Sequence, residues 1–153
     1  MDTDRTMLTA GHVMQRNVFT VSSGTQVLDA VEKLLERGFS GAPVVDGDHI
    51  VGIFSERDGL TAIASAHYEG EPPGTVAQHM RREYCVVSRS TDLYKVASAF
   101  RDNPIRRMPV IANDGSLCGI ISRGDVLKAL RQLYTHREKS NYQRLQDHMN
   151  MLQ

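Results

Sequence analysis

An internal duplication limits what this chain can fold into more than any other feature of its sequence. Shifted by 66 positions, Thr9, Met14, Arg16, Val21, Ser22, Thr25, Pro43 and Val44 fall on Thr75, Met80, Arg82, Val87, Ser88, Thr91, Pro109 and Val110. One extra residue enters near the turn Asn113-Asp114-Gly115. Beyond it, at a shift of 67, Gly52, Ile53, Ser55, Asp58, Leu60 and Ala62 fall on Gly119, Ile120, Ser122, Asp125, Leu127 and Ala129. The matches keep their order along the unit, so the chain reads as two copies of one unit of ~60 residues. Glu69-Gly70-Glu71-Pro72-Pro73-Gly74 has the composition of a linker and separates a first repeat, residues 9–68, from a second, residues 75–131. Residues 132–153 lie outside the duplication. One unit is too small to bury both faces of a sheet, whereas two packed copies share a continuous core.

Each unit carries the same local signals. Thr9 and Thr75 are suited to cap a short leading helical turn ending near Met14 and Met80. Val18-Phe19-Thr20-Val21 and Tyr84-Cys85-Val86-Val87 are β-rich and predict short strands. Thr25 is expected to cap a helix with Val27, Val31, Leu34 and Leu35 on one face, stopped by Gly38. Its counterpart starts at Thr91, shows Leu93, Ala97 and Phe100, and ends at Asp102-Asn103-Pro104. Ala42 to Val45 and Ile50 to Phe54 flank a polar turn and predict a hairpin, as do Met108 to Ile111 and Leu117 to Ile121. A closing helix follows Ser55 and Ser122. The expected fold is therefore α/β in the α+β sense: two pseudo-symmetric β-α-β-β-α repeats packed as one module, with a C-terminal helical extension.

Composition narrows the function classes. Eighteen Lys and Arg balance eighteen Asp and Glu, so the net charge is zero and gives no general pull toward nucleic acid or an anionic membrane. With 41% hydrophobic residues the chain can build a core. No apolar run approaches the ~18 residues of a membrane span. Met1-Asp2-Thr3-Asp4-Arg5 lacks the features of a secretory signal, and a cytoplasmic location is the default expectation. Cys85 and Cys118 lie in apolar strand-like runs and read as reduced core thiols. The six histidines show no ligand spacing, so no metal site is expected, and no linear pattern suggests a catalytic set.

Two junctions carry the chemistry: Gly52-Ile53-Phe54-Ser55-Glu56-Arg57-Asp58 and Gly119-Ile120-Ile121-Ser122-Arg123-Gly124-Asp125. In each, an apolar strand ends in a hydroxyl, and a carboxylate follows three residues later in the first helical turn. Ser-x-x-Asp is the pattern of a helix capping box. The same geometry suits a nucleotide. A helix N-terminus offers free N–H groups and partial positive charge to phosphate, and a carboxylate accepts the hydroxyls of a ribose.

Two such units, each with an h-x-P-V-h strand and a G-h-x-S-x-x-D junction (h, hydrophobic), resemble a tandem CBS-domain pair, or Bateman module, here stand-alone and covering about residues 9 to 131. The resemblance implies two clefts between the repeats, which in many members bind AMP, ADP, ATP, S-adenosylmethionine or NADH. It places Asp58 with Ser55, and Asp125 with Ser122, at ribose and phosphate. Ile105-Arg106-Arg107-Met108-Pro109-Val110 is similar to the segment that meets phosphate in the gamma subunit of AMP-activated kinase. Guanidinium forks suit that contact. The family pattern groups Ser55, Arg57 and Asp58 with Arg106 and Arg107 in one cleft. In the other it groups Asn17, Val18, Phe19, Ser40, Gly41 and Ala42 with Ser122, Arg123 and Asp125. Ser40-Gly41 carries no basic side chain where the second repeat has Arg106-Arg107, so the two clefts are expected to differ in phosphate preference. Mg²⁺ is a candidate companion of the phosphates.

The expected function is a non-catalytic sensor that binds an adenosine nucleotide and changes its packing or oligomeric state, as a homodimer acting on a protein partner. The alternative is a dimeric adaptor without ligand. In residues 132–153, Tyr142, Leu145, Met149 and Leu152 recur at helical spacing, and this stripe is expected to dock on a partner subunit or extend a homodimer.

Overall fold

The computed structural model describes residues 7–153, and the first five residues, read above for a signal, lie outside that range. The helical turn α1 (Ala10–Val13) leads into helix α2 (Val27–Arg37), the hairpin β1 (Gly41–Asp46) and β2 (His49–Ser55), and helix α3 (Glu56–Glu69). The second unit follows with α4 (Val76–His79), β3 (Val87–Ser88), α5 (Leu93–Asp102), β4 (Arg107–Ile111), β5 (Leu117–Ser122) and α6 (Arg123–Met151). β1 and β2 form one antiparallel sheet; β3, β4 and β5 form the other, with β3 parallel to β4. Both hairpins slip register at the same point of the repeat, between Val44 and Val45 and between Val110 and Ile111. Both turn on a glycine with left-handed φ, Gly47 and Gly115.

The leading segments trade places. Ala10 N–H donates to the Thr91 carbonyl at 2.8 Å and Gly11 N–H to the Arg89 carbonyl at 2.8 Å, so α1 of the first unit sits on the second repeat. Val76 N–H donates to the Thr25 carbonyl at 2.8 Å and Ala77 N–H to the Ser23 carbonyl at 2.9 Å, so α4 sits on the first. Each crossing continues as a short backbone pair: Gln15 exchanges two hydrogen bonds with Ile120, and Arg81 two with Ile53. Two cores result, each incomplete without the other unit. Ala10 is buried with Leu93, Val96, Met108, Val110 and Ile121, while Val76 is buried with Val27, Leu34, Val44 and Phe54.

The crossing corrects the expected helix starts. α2 is capped by Gln26 without a side-chain bond, not by Thr25, whose hydroxyl bonds the Ser22 hydroxyl instead. Asp92, not Thr91, caps α5, accepting from Lys95 N–H at 3.0 Å. The physical reason is the visiting segment. Val27 N–H donates to the Gly74 carbonyl and Leu93 N–H to the Leu8 carbonyl, both at 2.9 Å, so the other unit satisfies these helix-end donors. The expected strands also shrink. Of Val18–Val21 only Val21 pairs, in a parallel bridge to Val44, and of Tyr84–Val87 only Val87 lies in a strand. β-Rich residues become a strand only where a ladder is offered, and β1 and β4 offer it only to the last residues of each run. Leu35, expected on the buried face of α2, is exposed: Val27, Ala30 and Leu34 define that face, and Leu35 lies a further 100° around.

Candidate functional site

Each hairpin delivers its last strand directly into a helix. β2 ends at Ser55, the cap of α3, and β5 ends at Ser122, the cap of α6. Both capping boxes form. Ser55 donates to Asp58 Oδ2 from its N–H at 2.9 Å and its hydroxyl at 2.8 Å, and Asp58 N–H donates to Ser55 Oγ at 3.2 Å. Ser122 N–H donates to Asp125 Oδ2 at 3.0 Å, and Asp125 N–H to Ser122 Oγ at 3.0 Å. One carboxylate oxygen thus closes each box. The other is left over: Asp58 Oδ1 has no hydrogen bond among the described residues, and Asp125 Oδ1 meets only Gln15 Nε2, at 3.5 Å. Both carboxylates are half-buried, with Arg57 and Arg123 exposed in the same helical turns. The arrangement keeps an acceptor, a helix N-terminus and a guanidinium together at each junction.

Beside each junction runs the segment that opens the hairpin of the same repeat. Gly41 pairs with Ser55, and Glu56 N–H donates to the Ser40 carbonyl at 2.8 Å. Arg107 pairs with Ser122, and Arg123 N–H donates to the Arg106 carbonyl at 3.0 Å. On the other side lies the crossing segment of the opposite unit. The Gln15–Ile120 pair seats the chain just before Asn17, Val18 and Phe19 against the Ser122–Asp125 junction. The Arg81–Ile53 pair seats the chain before Glu83, Tyr84 and Cys85 against the Ser55–Asp58 junction. Tyr84 fixes it further, its hydroxyl donating to the Ile50 carbonyl at 3.2 Å.

The Arg106-Arg107 backbone therefore adjoins Ser122 and Arg123, while the Arg107 guanidinium crosses to the first repeat, 5.4 Å above the Phe39 ring. Phe39 stacks on Phe19 with centroids 5.8 Å apart, and the Arg37 guanidinium covers the Phe19 ring at 4.9 Å. This alternation of cations and rings brings Phe19, the residue before Ser40 and Arg107 together across the two repeats. Among the described residues, neither Arg106 nor Arg107 forms an ion pair or hydrogen bond with Asp58. Met108 and Ala42 are core residues, with side chains buried in opposite clusters, so only their backbones are open to a ligand. Asn17, Ser40, Arg106 and Arg107 are exposed, and Val18, Phe19 and Gly41 half-buried.

Sequence reasoning missed several neighbours of the site. Glu83, Tyr84 and Cys85 are the 66-residue counterparts of Asn17, Val18 and Phe19, and the duplication itself was the signal for them. Gln15, Arg37 and Phe39 carried none, because their roles arise from contacts between units. The perturbed carboxylates lie elsewhere, at the hairpin turns. The Ser23 hydroxyl and N–H hold Asp46 below its usual range, and those of Ser116 do the same for Asp114. Those turns also meet, since His49 bridges Ser116 and Leu117 N–H donates to the Asp48 carbonyl at 2.9 Å. Among the described residues no group of three or more His, Cys, Asp or Glu is placed to hold a metal ion. Cys85 and Cys118 are free and half-buried. No helix of the described residues is long and apolar enough to cross a membrane.

The model of the CBS domain matches residues 10–65 and, a second time, residues 76–132. The chain belongs to the CBS-domain family. The CBS domain-containing protein CBSX2, chloroplastic, of Arabidopsis thaliana is 29% identical over 153 aligned residues, which cover 82% of this chain and 64% of that protein. Protein MJ1225 of Methanocaldococcus jannaschii is 30% identical over 119 residues, covering 77% of this CBS pair and 41% of MJ1225. This CBS pair thus spans about two fifths of the length of the M. jannaschii relatives it matches. The crystal structure of CBSX2 in complex with AMP superposes with a TM-score of 0.72 at 32% identity, covering 82% of this chain and 98% of that one.

Proposed function

We propose that this CBS pair is a non-catalytic regulatory module that binds an adenosine nucleotide in clefts between its repeats, 9–68 and 75–131. The observation that carries the reading is the duplicated capping box. It presents a spare carboxylate oxygen at the N-termini of α3 and α6, in a chain that aligns with nearly all of a CBS pair crystallised with AMP. In this reading Asp58 and Asp125 accept ribose hydroxyls, and Ser55, Ser122 and the helix N-termini face ribose and phosphate. Arg57, Arg106, Arg107 and Arg123 supply guanidinium to the phosphates. The backbone at Ser40-Gly41-Ala42 and the segment Asn17-Val18-Phe19 flank the adenine, with Glu83-Tyr84-Cys85 as its counterpart. Binding acts on a protein partner by favouring one packing of the module, and only a difference in affinity between two packings can do so.

Isothermal titration of the full chain with AMP, ADP, ATP, NADH and S-adenosylmethionine, with and without Mg²⁺, tests the proposal. At least one of them binds, with Asp58→Asn or Asp125→Asn weakening its own cleft roughly tenfold, about 1.4 kcal/mol. Asparagine still accepts from the serine N–H but gives up the negative charge that draws two ribose hydroxyls. If no adenosine compound binds at millimolar concentration, the nucleotide reading is wrong and the adaptor role replaces it.

A further inference from the structure

Helix α6 outlasts its own domain. It runs unbroken for 29 residues, ~43 Å, yet its buried residues, Val126 and Ala129, both lie in the first two turns. From Arg131 to Met151 no residue is buried. At 3.6 residues per turn, Leu127, Tyr134, Tyr142, Leu145, Met149 and the capping Leu152 fall within about 80° of arc, on the side away from Val126 and Ala129. All six are between 63% and 76% exposed. Most helix stability in proteins comes from packing of an apolar face, and an apolar stripe this long on a free surface marks an interaction site.

The spacing within the stripe says what covers it. Leu127, the half-buried Leu130 at the stripe's edge, which also packs on its own core, and Tyr134 follow at steps of three and four, whereas Leu145, Met149 and Leu152 follow at four and three. The pattern is a palindrome centred between Lys139 and Ser140. A second copy laid antiparallel about that centre sets Leu127 against Leu152, Leu130 against Met149 and Tyr134 against Leu145. Every such contact occurs twice, as an isologous interface requires. At the centre Glu138 meets Asn141, whose amide can donate to it. A parallel pair in register would instead face Glu138 with Glu138 in the middle of the stripe, a like-charge contact. The six exposed residues carry on the order of 800 Å² per copy, so pairing removes roughly 1,200–1,600 Å² in all, the size of a specific protein interface.

We propose that α6 is a homodimerisation element, pairing antiparallel with α6 of a second copy through residues 127–152. The proposal is independent of nucleotide binding. Sedimentation velocity on the full chain tests it, comparing wild type with Leu145→Glu, a substitution at an exposed position that leaves the monomer's fold in place, as its melting transition checks. The wild type sediments as a dimer, and Leu145→Glu raises the dissociation constant at least tenfold. Orientation is read from a chain carrying both Tyr134→Cys and Leu145→Cys. These positions are about 16 Å apart along one helix, too far for a bond within a chain. Mild oxidation therefore yields covalent dimers in which peptide mapping joins residue 134 to residue 145. A monomeric wild type, a dimer that Leu145→Glu leaves unchanged, or cross-links joining 134 to 134 would each overturn the proposal.

Discussion

Gly52→Ala tests whether the exchange of leading segments holds the two repeats together. A Cβ built on Gly52 lies 2.7 Å from Met80 Sδ and 2.8 Å from the Arg81 carbonyl oxygen. The thioether can rotate away, but the carbonyl is fixed. It accepts from Ile53 N–H at 3.0 Å while Arg81 N–H donates to the Ile53 carbonyl at 2.8 Å. The added methyl therefore pushes the crossing strand off β2. Weakening two backbone hydrogen bonds costs about 1 kcal/mol each. Overpacking adds about 1–3 kcal/mol, and the stiffer unfolded chain returns about 0.4–1. The expected net loss is about 2–4 kcal/mol, roughly 5–15 °C in melting temperature for a chain of this size. Gly119→Ala should behave alike, since its Cβ meets Met14 Sδ and, at 2.9 Å, the Gln15 carbonyl. Gly24→Ala is the control, with nothing within 4 Å of its added Cβ. Urea unfolding followed by circular dichroism measures all three. If Gly52→Ala unfolds within about 0.5 kcal/mol of Gly24→Ala, the segment is not packed against β2 and the reasoning fails.

Other consequences follow from the same contacts. Asp58→Ala removes the acceptor of two Ser55 donors and should cost about 1 kcal/mol of stability in the absence of any ligand, measurable by the same unfolding assay. No loss would mean that the box contributes nothing to α3. Asp46 is held below its ordinary value of 3.8, first by the Ser23 hydroxyl and then by the Ser23 N–H. A carboxylate with a depressed folded pKa stabilises fully above its unfolded pKa and loses that contribution as pH falls through the folded value. Asp46→Asn should therefore be less stable than wild type at neutral pH, and the two should converge below about pH 4. A difference that persists unchanged into that acid range would contradict the assignment.

Legibility in the sequence followed the range of the interaction. The junctions were readable because a capping box is local: Ser55 with Asp58 and Ser122 with Asp125 are three residues apart, and the structure forms both boxes. The hairpins were readable for the same reason, as paired apolar runs about the turns at Gly47 and Gly115. The cap at Thr25 and the helix start at Thr91 were not legible because the donors at these helix ends are met by Gly74 and Leu8, more than forty residues away in sequence. Phe39 and Arg107 met in space without a motif, because a cation over a ring depends on two distant backbones and not on spacing.

By itself the sequence determined that one unit is present twice, that each unit contains a hairpin feeding a capped helix, and that the CBS pattern is carried at Ser55, Asp58, Ser122 and Asp125. Only the tertiary structure decided which repeat each leading segment completes. Ala10 and Val76 are small apolar residues that either core could bury, so their hydrophobicity favours neither arrangement. The choice is made by backbone partners and by close approach: Gly119 admits Met14 and Gly52 admits Met80. That reciprocity places the crossing segments beside the junctions of the opposite repeat, where the proposed nucleotide sites lie.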